Sequence, residues 1–206
     1  MEQLKNLYLK QSMIPKRYLS EISLTPSVKD ENAFIELNEI KTNAKDFVSK
    51  GNSLFIYSSH SGNGKTTWAT KIMKEYINQI SDVFYNHPAI YINVNSFLNQ
   101  KKIAISNKEL KDTIEEIEDN ILGAKLVIFD DIGVTNISDY DSNLLYYWIN
   151  HRTDYDLSCI YTSNLTPAKL KSVIDERIYS RIVNYSKLIE ITDGDNRKND
   201  NTVTGA

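Results

Sequence analysis

The chain has 206 residues, 41% of them hydrophobic and 25% charged, and a formal net charge of −3. This length suits one α/β domain with a short appendage, and the composition is that of a soluble globular protein. The acidic balance gives no overall nucleic-acid signature, so any such contact has to come from a local basic patch. The single cysteine excludes an internal disulfide, and Met1 is followed by no apolar leader. Because the longest apolar runs are also only of strand length, we expect a cytoplasmic protein with no membrane span.

Residues 1–50 are predicted to form an N-terminal arm with short helices. Apolar residues around Tyr8 have the spacing of a helical turn, whereas the proline-containing segment Ile14–Tyr18 reads as extended. From Ala33 to Val48 the apolar residues recur at helical spacing and predict one amphipathic helix. The arm either only packs against the domain or also contacts a partner or a nucleotide base, and the sequence leaves both alternatives open.

A short apolar run, Leu54–Tyr57, leads into a glycine-containing loop and then into a segment with helical periodicity. Strand, loop and helix in this order are the context of a phosphate-binding loop, whose backbone N–H groups and helix N-terminus bind phosphate oxygens. Lys65 is then expected to neutralise the β- and γ-phosphates of ATP, and the Thr66 hydroxyl to bind Mg²⁺. The candidate nucleotide-binding residues are Ser61, Gly62, Asn63, Gly64, Lys65, Thr66 and Thr67.

This loop departs from the usual pattern G-x-x-x-x-G-K-[ST] at one position. Ser59 stands where the first glycine is expected, while Gly62 and Gly64 remain where the loop has to turn tightly. We therefore expect weaker or altered nucleotide binding. The alternative is an ordinary polar turn followed by a helix.

The next segments predict a strand over Ala89–Val94 and a helix over Asn107–Ile121, which has several glutamates on its outer face. These carboxylates would repel a nucleic-acid backbone. A contact with single-stranded DNA is therefore expected to involve Lys101 and Lys102, which lie between the two elements. The alternative is that the two lysines are simply solvated.

The run Leu126–Phe129 predicts a strand buried on both faces, as in a parallel sheet, and two aspartates follow it. Ligands of open α/β sheets bind at this end of the strands. Asp130 is expected to hold the Mg²⁺ shell, and Asp131 to orient and deprotonate the attacking water. Because a glutamate is commoner at this second position, we expect slow hydrolysis. The alternative is a strand that ends in a polar turn.

Two later segments add candidate site residues. A strand over Ser158–Ser163 is followed by Asn164, which could reach the γ-phosphate or the water from the same sheet edge, although such a residue is more often a turn. Arg177 and Arg181 are four residues apart and share one helix face, which suits either an anion on a neighbouring subunit or surface ion pairs. A fifth strand is predicted over Lys187–Ile191, and residues 193–206 form a polar tail.

Taken together, the segment from Ile14 to Arg197 resembles the AAA+ ATPases of the bacterial and phage helicase-loader group, which are DnaC- and DnaI-like and related to IstB. The resemblance depends on Ile14–Tyr18, the phosphate loop, Leu126–Gly133, Tyr161–Leu165 and Glu176–Arg181. It implies a five-stranded parallel sheet flanked by helices, without a C-terminal lid domain, with residues 51–192 as the ATPase core.

The resemblance also implies roles for the site residues. Lys65 and Thr66 resemble Walker A residues, Asp130 and Asp131 the Walker B pair, and Asn164 the sensor 1 residue. Arg181 resembles the arginine finger that reaches the ATP of an adjacent subunit, with Arg177 as the alternative.

The partners implied are a hexameric replicative DNA helicase, single-stranded DNA in the primosome, and further copies of the chain that meet at the ATP sites. At most about 50 residues precede the first strand, which leaves no room for the separate helicase-binding domain of longer loaders and is typical of compact loaders of phages and mobile elements. An IstB-like transposition ATPase and a weakly hydrolysing nucleotide-binding module are the alternatives.

Overall fold

The computed structural model describes residues 1–133 and 138–192, so the tail predicted at 193–206 lies outside the described residues. The helices and strands are α1 (Glu2–Gln11), α2 (Glu31–Thr42), α3 (Ala44–Ser49), β1 (Ser53–Tyr57), α4 (Lys65–Gln79), β2 (Ala89–Asn93), α5 (Val94–Ala104), α6 (Lys108–Gly123), β3 (Leu126–Asp130), α7 (Asp139–Asp154), β4 (Ser158–Ser163), α8 (Pro167–Lys171), α9 (Glu176–Asn184) and β5 (Ser186–Glu190). Short 3₁₀ turns occupy Lys16–Tyr18 and Val28–Asp30.

The five strands form one parallel sheet in the order β2-β3-β4-β1-β5. Their register brings polar ends together, because Asn93 lies opposite Asp130, and Tyr57 lies opposite Ser163. The carboxyl end of this sheet is therefore lined by polar residues, although β3 and β4 are buried along their whole length.

Helices cover both faces of the sheet. Alternate residues of β1 and β3, such as Leu54 and Ile128, pack with α1 to α4 in one hydrophobic cluster. Their neighbours, such as Phe55 and Val127, pack with α5 to α9 in the other. The arm therefore belongs to the same packed body as the sheet, since Tyr8, Phe34 and Leu37 are buried in the first cluster.

The single helix predicted over Ala33–Val48 is wrong, because the chain breaks into α2 and α3 at Asn43. The side chain of Gln79, on α4, explains the break. Its amide donates to the carbonyl of Thr42 at 2.9 Å and accepts from the backbone N–H of Lys45 at 2.8 Å. These bonds satisfy backbone groups that an unbroken helix would satisfy itself.

The segment Ile14–Tyr18 is not extended throughout, because its last three residues make a 3₁₀ turn in which the N–H of Tyr18 donates to the carbonyl of Pro15 at 2.8 Å. Pro15 itself is extended, with φ −57° and ψ 139°, and it precedes the turn as its N-terminal flanking residue.

Among the described residues, no helix combines the length and the apolar character that crossing a bilayer requires. The described residues end at Thr192, two positions after β5, and they contain no helical domain after the sheet.

Candidate nucleotide site

The loop between β1 and α4 turns tightly at two glycines. Gly62 and Gly64 have φ values of 81° and 95°, in the region that side chains disfavour. A Cβ atom on Gly64 would lie 2.9 Å from Cδ1 of Leu24, so the arm also packs closely against this position. Ser59 is not among the residues with positive φ, so the backbone there does not require the glycine of the usual pattern.

Lys65 and Asn63 hold this loop from the inside. The Lys65 ammonium donates to the carbonyl of His60 at 2.8 Å and to Oδ1 of Asn63 at 2.9 Å. The amide of buried Asn63 donates to Oγ of Ser58 and, at 3.0 Å, to the carbonyl of Ile191 after β5. The loop is therefore closed around the lysine and joined to the chain that leaves the sheet.

Asp130 is 2% exposed and accepts hydrogen bonds from three hydroxyl groups. Thr66 and Thr162 each donate to its Oδ1 at 2.7 Å, and Tyr91 donates to its Oδ2 at 2.7 Å. Burial, followed by the charge of Asp130 and the hydrogen bond to it, raises the pKa of Tyr91 well above its usual range. The Tyr91 hydroxyl therefore keeps its proton and donates a hydrogen bond to this carboxylate.

Asp131 is held by two amide side chains. The amide of Asn93 donates to Oδ2 of Asp131 at 3.3 Å, and that of Asn164 donates to Oδ1 at 3.2 Å. Its φ of 60° lies in the left-handed region, which aspartate tolerates better than most residues, and such conformations concentrate at functional sites. Its backbone N–H donates to Oγ1 of Thr162 at 3.0 Å, so one threonine contacts both aspartates.

Burial, and then the neighbouring charge of Asp130, raises the pKa of Asp131. Lys65, the hydrogen bond from Asn93 and the charge of Arg17 act in the opposite direction but do not outweigh them. A carboxyl group with a raised pKa accepts a proton more readily than an ordinary aspartate.

The hydroxyl oxygen of Thr66 and the carboxylate oxygens of Asp130 are suitable ligands for Mg²⁺. A hydroxyl oxygen and a carboxylate oxygen lie 2.7 Å apart at the start of α4 and the end of β3. In the described parts of the chain, no group of three or more His, Cys, Asp or Glu side chains could hold a metal ion by itself. In phosphate-binding proteins Mg²⁺ is usually held by one or two protein oxygens, and water and substrate phosphates complete its coordination.

The phosphate loop, the two aspartates and Asn164 line one cavity of about 700 Å³ at the carboxyl end of the sheet. One wall is the loop, including Ser61, Gly62, Thr66 and Thr67, and the floor carries Asp130, Asp131 and Asn164. The opposite wall is the arm segment from Arg17 to Thr25. The cavity thus gathers the phosphate-loop candidates, both aspartates and the asparagine that the sequence assigned to separate segments.

Arg177 and Arg181 are not among the residues that line this cavity. Arg181 donates to Oδ1 of Asn150 at 3.0 Å and lies 3.8 Å from a carboxylate oxygen of Asp154. Arg177 pairs with Asp175 at 2.9 Å, which is the local ion pair considered from the sequence, and lies over the ring of Tyr146. Neither arginine can act on a ligand in the cavity of its own chain in this arrangement.

Lys101 and Lys102 each pair with an acid. Lys101 contacts Glu118 at 2.6 Å, and Lys102 contacts buried Asp141 at 2.7 Å. A phosphate backbone would therefore compete with carboxylates for these two lysines, although the Lys102 side chain remains half exposed.

Four residues of the site were missed in the sequence: Tyr91, Asn93, Thr162 and Arg17. Asn93 had a readable signal, since it is a polar residue next to the end of the predicted strand Ala89–Val94. Tyr91 and Thr162 lie inside strands, and no sequence pattern marked them as site residues.

Comparisons with known proteins agree with this geometry. The family model described as "IstB-like ATP binding protein" matches residues 17–203. The crystal structure of the DnaC helicase loader is similar at 22% identity and a TM-score of 0.67, over 86% of this chain and 99% of that one. The crystal structure of DnaI is similar at 21% identity and a TM-score of 0.66, over 87% and 95%. The structure of AMPPCP-bound DnaA from Aquifex aeolicus is similar at 21% identity and a TM-score of 0.65, over 87% of this chain but only 51% of that one.

No curated protein matches the chain. At these identities the solved structures show the fold, and they confirm the predicted α/β P-loop NTPase architecture with a five-stranded parallel sheet flanked by helices.

Proposed function

Since the chain belongs to the IstB-like ATP-binding protein family, we propose that it is an ATP-hydrolysing AAA+ protein that loads a replicative helicase onto single-stranded DNA. The observation that carries the ATPase part is the convergence of Lys65, Thr66, Asp130, Asp131 and Asn164 on one cavity at the carboxyl end of a parallel sheet.

In this proposal the loop binds the triphosphate. Backbone N–H groups at Gly62 to Lys65 and the N-terminus of α4 would face the phosphate oxygens. The Lys65 ammonium would exchange the His60 carbonyl and the Asn63 side chain, which it contacts at 2.8 and 2.9 Å, for phosphate oxygens. Those two contacts keep the ammonium inside the loop, so little rearrangement is needed to meet the ligand.

Thr66 and Asp130 would hold Mg²⁺, which neutralises phosphate charge when bound. Tyr91 and Thr162 donate to Asp130 at 2.7 Å each and fix the carboxylate in place.

Asp131 would orient the attacking water and accept its proton. Asn93 and Asn164 hold one carboxylate oxygen each, which fixes the direction of the group. Asn164 would also contact the terminal phosphate. Because aspartate reaches one methylene less far than the commoner glutamate, we expect turnover to be slow.

A neighbouring copy of the chain would complete the site with an arginine, and Arg181 is the first candidate. Its side chain is 28% exposed, and its nearest carboxylate, on Asp154, lies at the loose distance of 3.8 Å. Arg177 is held by Asp175 at 2.9 Å and is the second candidate. This arrangement would make hydrolysis depend on assembly.

The helicase and DNA parts of the proposal are supported by likeness alone. One similar structure is that of the DnaC helicase loader, and another is that of the replication initiator DnaA bound to AMPPCP and single-stranded DNA. We extend these activities, and an origin in a phage or mobile element, to this chain as proposals. The second candidate function, an IstB-like transposition ATPase, is favoured by the family match itself.

Two experiments test the proposal. Lys65→Ala should abolish ATP binding, because the buried ammonium is the loop's cation, whereas Lys111→Ala, on the exposed face of α6, should bind ATP like the wild type. Unchanged ATP affinity in Lys65→Ala would contradict the phosphate-loop assignment.

The second experiment is a pull-down with a cognate replicative helicase and, separately, with a cognate transposase, each with and without ATP. Capture of the helicase supports loading, and capture of the transposase alone supports the second candidate. Capture of the helicase without measurable turnover would favour a module that acts by occupancy.

A further inference from the structure

The arm crosses the nucleotide site from one edge of the sheet to the other. On the β2 edge, the carbonyl of Ser12 accepts from the N–H of Tyr91 at 2.8 Å. On the opposite edge, the Asp30 carboxylate accepts from the N–H and hydroxyl of Thr192, just after β5, at 2.8 and 2.7 Å. The segment 17–25, which we call the strap, runs between these two attachments and forms a wall of the cavity.

Two further contacts hold the strap against α4. The ammonium of Lys74 donates to the carbonyl of Ser20 at 3.1 Å and to that of Leu19 at 3.4 Å. Leu24 packs so closely on Gly64 that a methyl group there would overlap it. The strap is therefore fixed at its ends and in its middle, next to the loop that precedes Lys65.

Arg17, at the start of the strap, brings a cation into this cavity. Its side chain is exposed and lines the same space as Lys65, Asp131 and Asn164. Its guanidinium lies 4.7 Å from the centre of the Tyr18 ring, a stacking contact that limits its rotation.

The charge balance of the cavity suggests a ligand-binding role for this cation. The described residues that line the cavity include three carboxylates, of Glu21, Asp130 and Asp131, and two cationic side chains, Lys65 and Arg17. Glu21 also lies 3.8 Å from Lys74, which is not a lining residue. A triphosphate is strongly anionic even with Mg²⁺, so a site with Lys65 as its single cation would be poorly matched to it. Arginine, with a planar fork of donors, suits a phosphate group with several free oxygens.

Position determines which phosphate is involved. In the proposed function Asp131 addresses the water that attacks the terminal phosphate, and Arg17 lines the same cavity as Asp131 and Asn164. We propose that Arg17 is a phosphate-binding residue supplied by the same chain, which contacts the terminal phosphate of ATP and makes the site prefer ATP to ADP. This inference rests on the proposed ATP site and adds a ligand that comes from the arm.

The test compares the affinity for a non-hydrolysable ATP analogue with that for ADP, both with Mg²⁺, by calorimetry. Arg17→Ala should bind the triphosphate about 10- to 100-fold more weakly, which is the loss expected for one hydrogen-bonded ion contact, and should keep its ADP affinity within about twofold. Arg17→Lys should recover part of the loss, because it keeps the charge without the fork.

Lys16→Ala is the matched control. It removes one positive charge at the adjacent, exposed position, which is not among the lining residues, and should bind both nucleotides like the wild type. Thermal unfolding of each variant verifies that the fold is kept. A similar loss for both nucleotides in Arg17→Ala, or no loss, would overturn the inference while leaving the ATP site in place. If the wild type binds neither nucleotide, the proposed function fails and the inference fails with it.

Discussion

Replacing Tyr91 with phenylalanine tests the arrangement around Asp130 most directly. The change keeps the buried ring and removes one hydroxyl, which donates to Oδ2 of Asp130 at 2.7 Å. Thr66 and Thr162 both donate to the other oxygen, Oδ1, so Oδ2 loses the hydroxyl that holds it. A hydrogen bond to a charged group contributes roughly 1.5–3 kcal/mol, and Asp130 is only 2% exposed.

We therefore expect Tyr91→Phe to lower the free energy of unfolding by about 2 kcal/mol, which for a chain of this length is a fall in Tm of roughly 4–8 °C. Thermal unfolding by circular dichroism, without nucleotide or metal, measures this. Tyr76→Phe is the control, because it removes a hydroxyl from another buried tyrosine, on α4, and leaves Asp130 and its donors unchanged. A Tm for Tyr91→Phe equal to that of the control would refute the role assigned to this hydroxyl.

Three further predictions concern catalysis and charge. Asp131→Asn should keep ATP affinity and lose turnover by about 100-fold or more, since the proton acceptor is gone; turnover at the wild-type rate would assign that role elsewhere. Arg181→Ala should lower assembly-dependent hydrolysis by about 10³-fold and spare ATP binding by the monomer, whereas the same pattern in Arg177→Ala alone would identify that residue as the finger. Burial raises the pKa of Asp141, but the hydrogen bonds and charge of Lys102 and the bonds from Ser138 outweigh it, so the pKa lies below its usual value. This pair therefore stabilises the fold above about pH 4 and stops doing so as the pH falls through the folded pKa. Asp141→Asn should lower Tm at neutral pH and converge with the wild type in acid; an equal difference at both pH values would contradict this.

The sequence identified those site residues that follow strands. Asp130 and Asp131 come at the end of a buried apolar run, and Asn164 follows the buried strand β4; the ends of parallel strands meet at one edge. Local pattern therefore sufficed to predict that they lie together, and the structure does bring them to one cavity. Their catalytic roles stay predictions.

Residues inside strands were missed for a physical reason. Whether Tyr91 reaches Asp130 depends on how β2 pairs with β3. In the observed register Asn93 lies opposite Asp130, and Tyr91, two residues earlier, lies opposite Ile128. This register depends on two segments about 40 positions apart, so it cannot be predicted from the sequence of either segment alone. Thr162 reaches Asp130 across β4 and β3 in the same way.

Partners distant in sequence also explain the errors in the arm. The apolar spacing over Ala33–Val48 fits one helix, yet Gln79 supplies the bonds that allow the break at Asn43. Arg17 was assigned no site role because only the path of the strap across the sheet brings it to the cavity.

The attachment of Ser12 to Tyr91 has a consequence for handling this protein. Strand β2 is an outer strand, and outer strands offer unpaired N–H and C=O groups that can pair with another molecule and start aggregation. The carbonyl of Ser12 occupies one of these N–H groups. A fragment trimmed to begin near β1 would uncover this border and the apolar surface under α1, so we expect it to precipitate while the full chain stays dispersed.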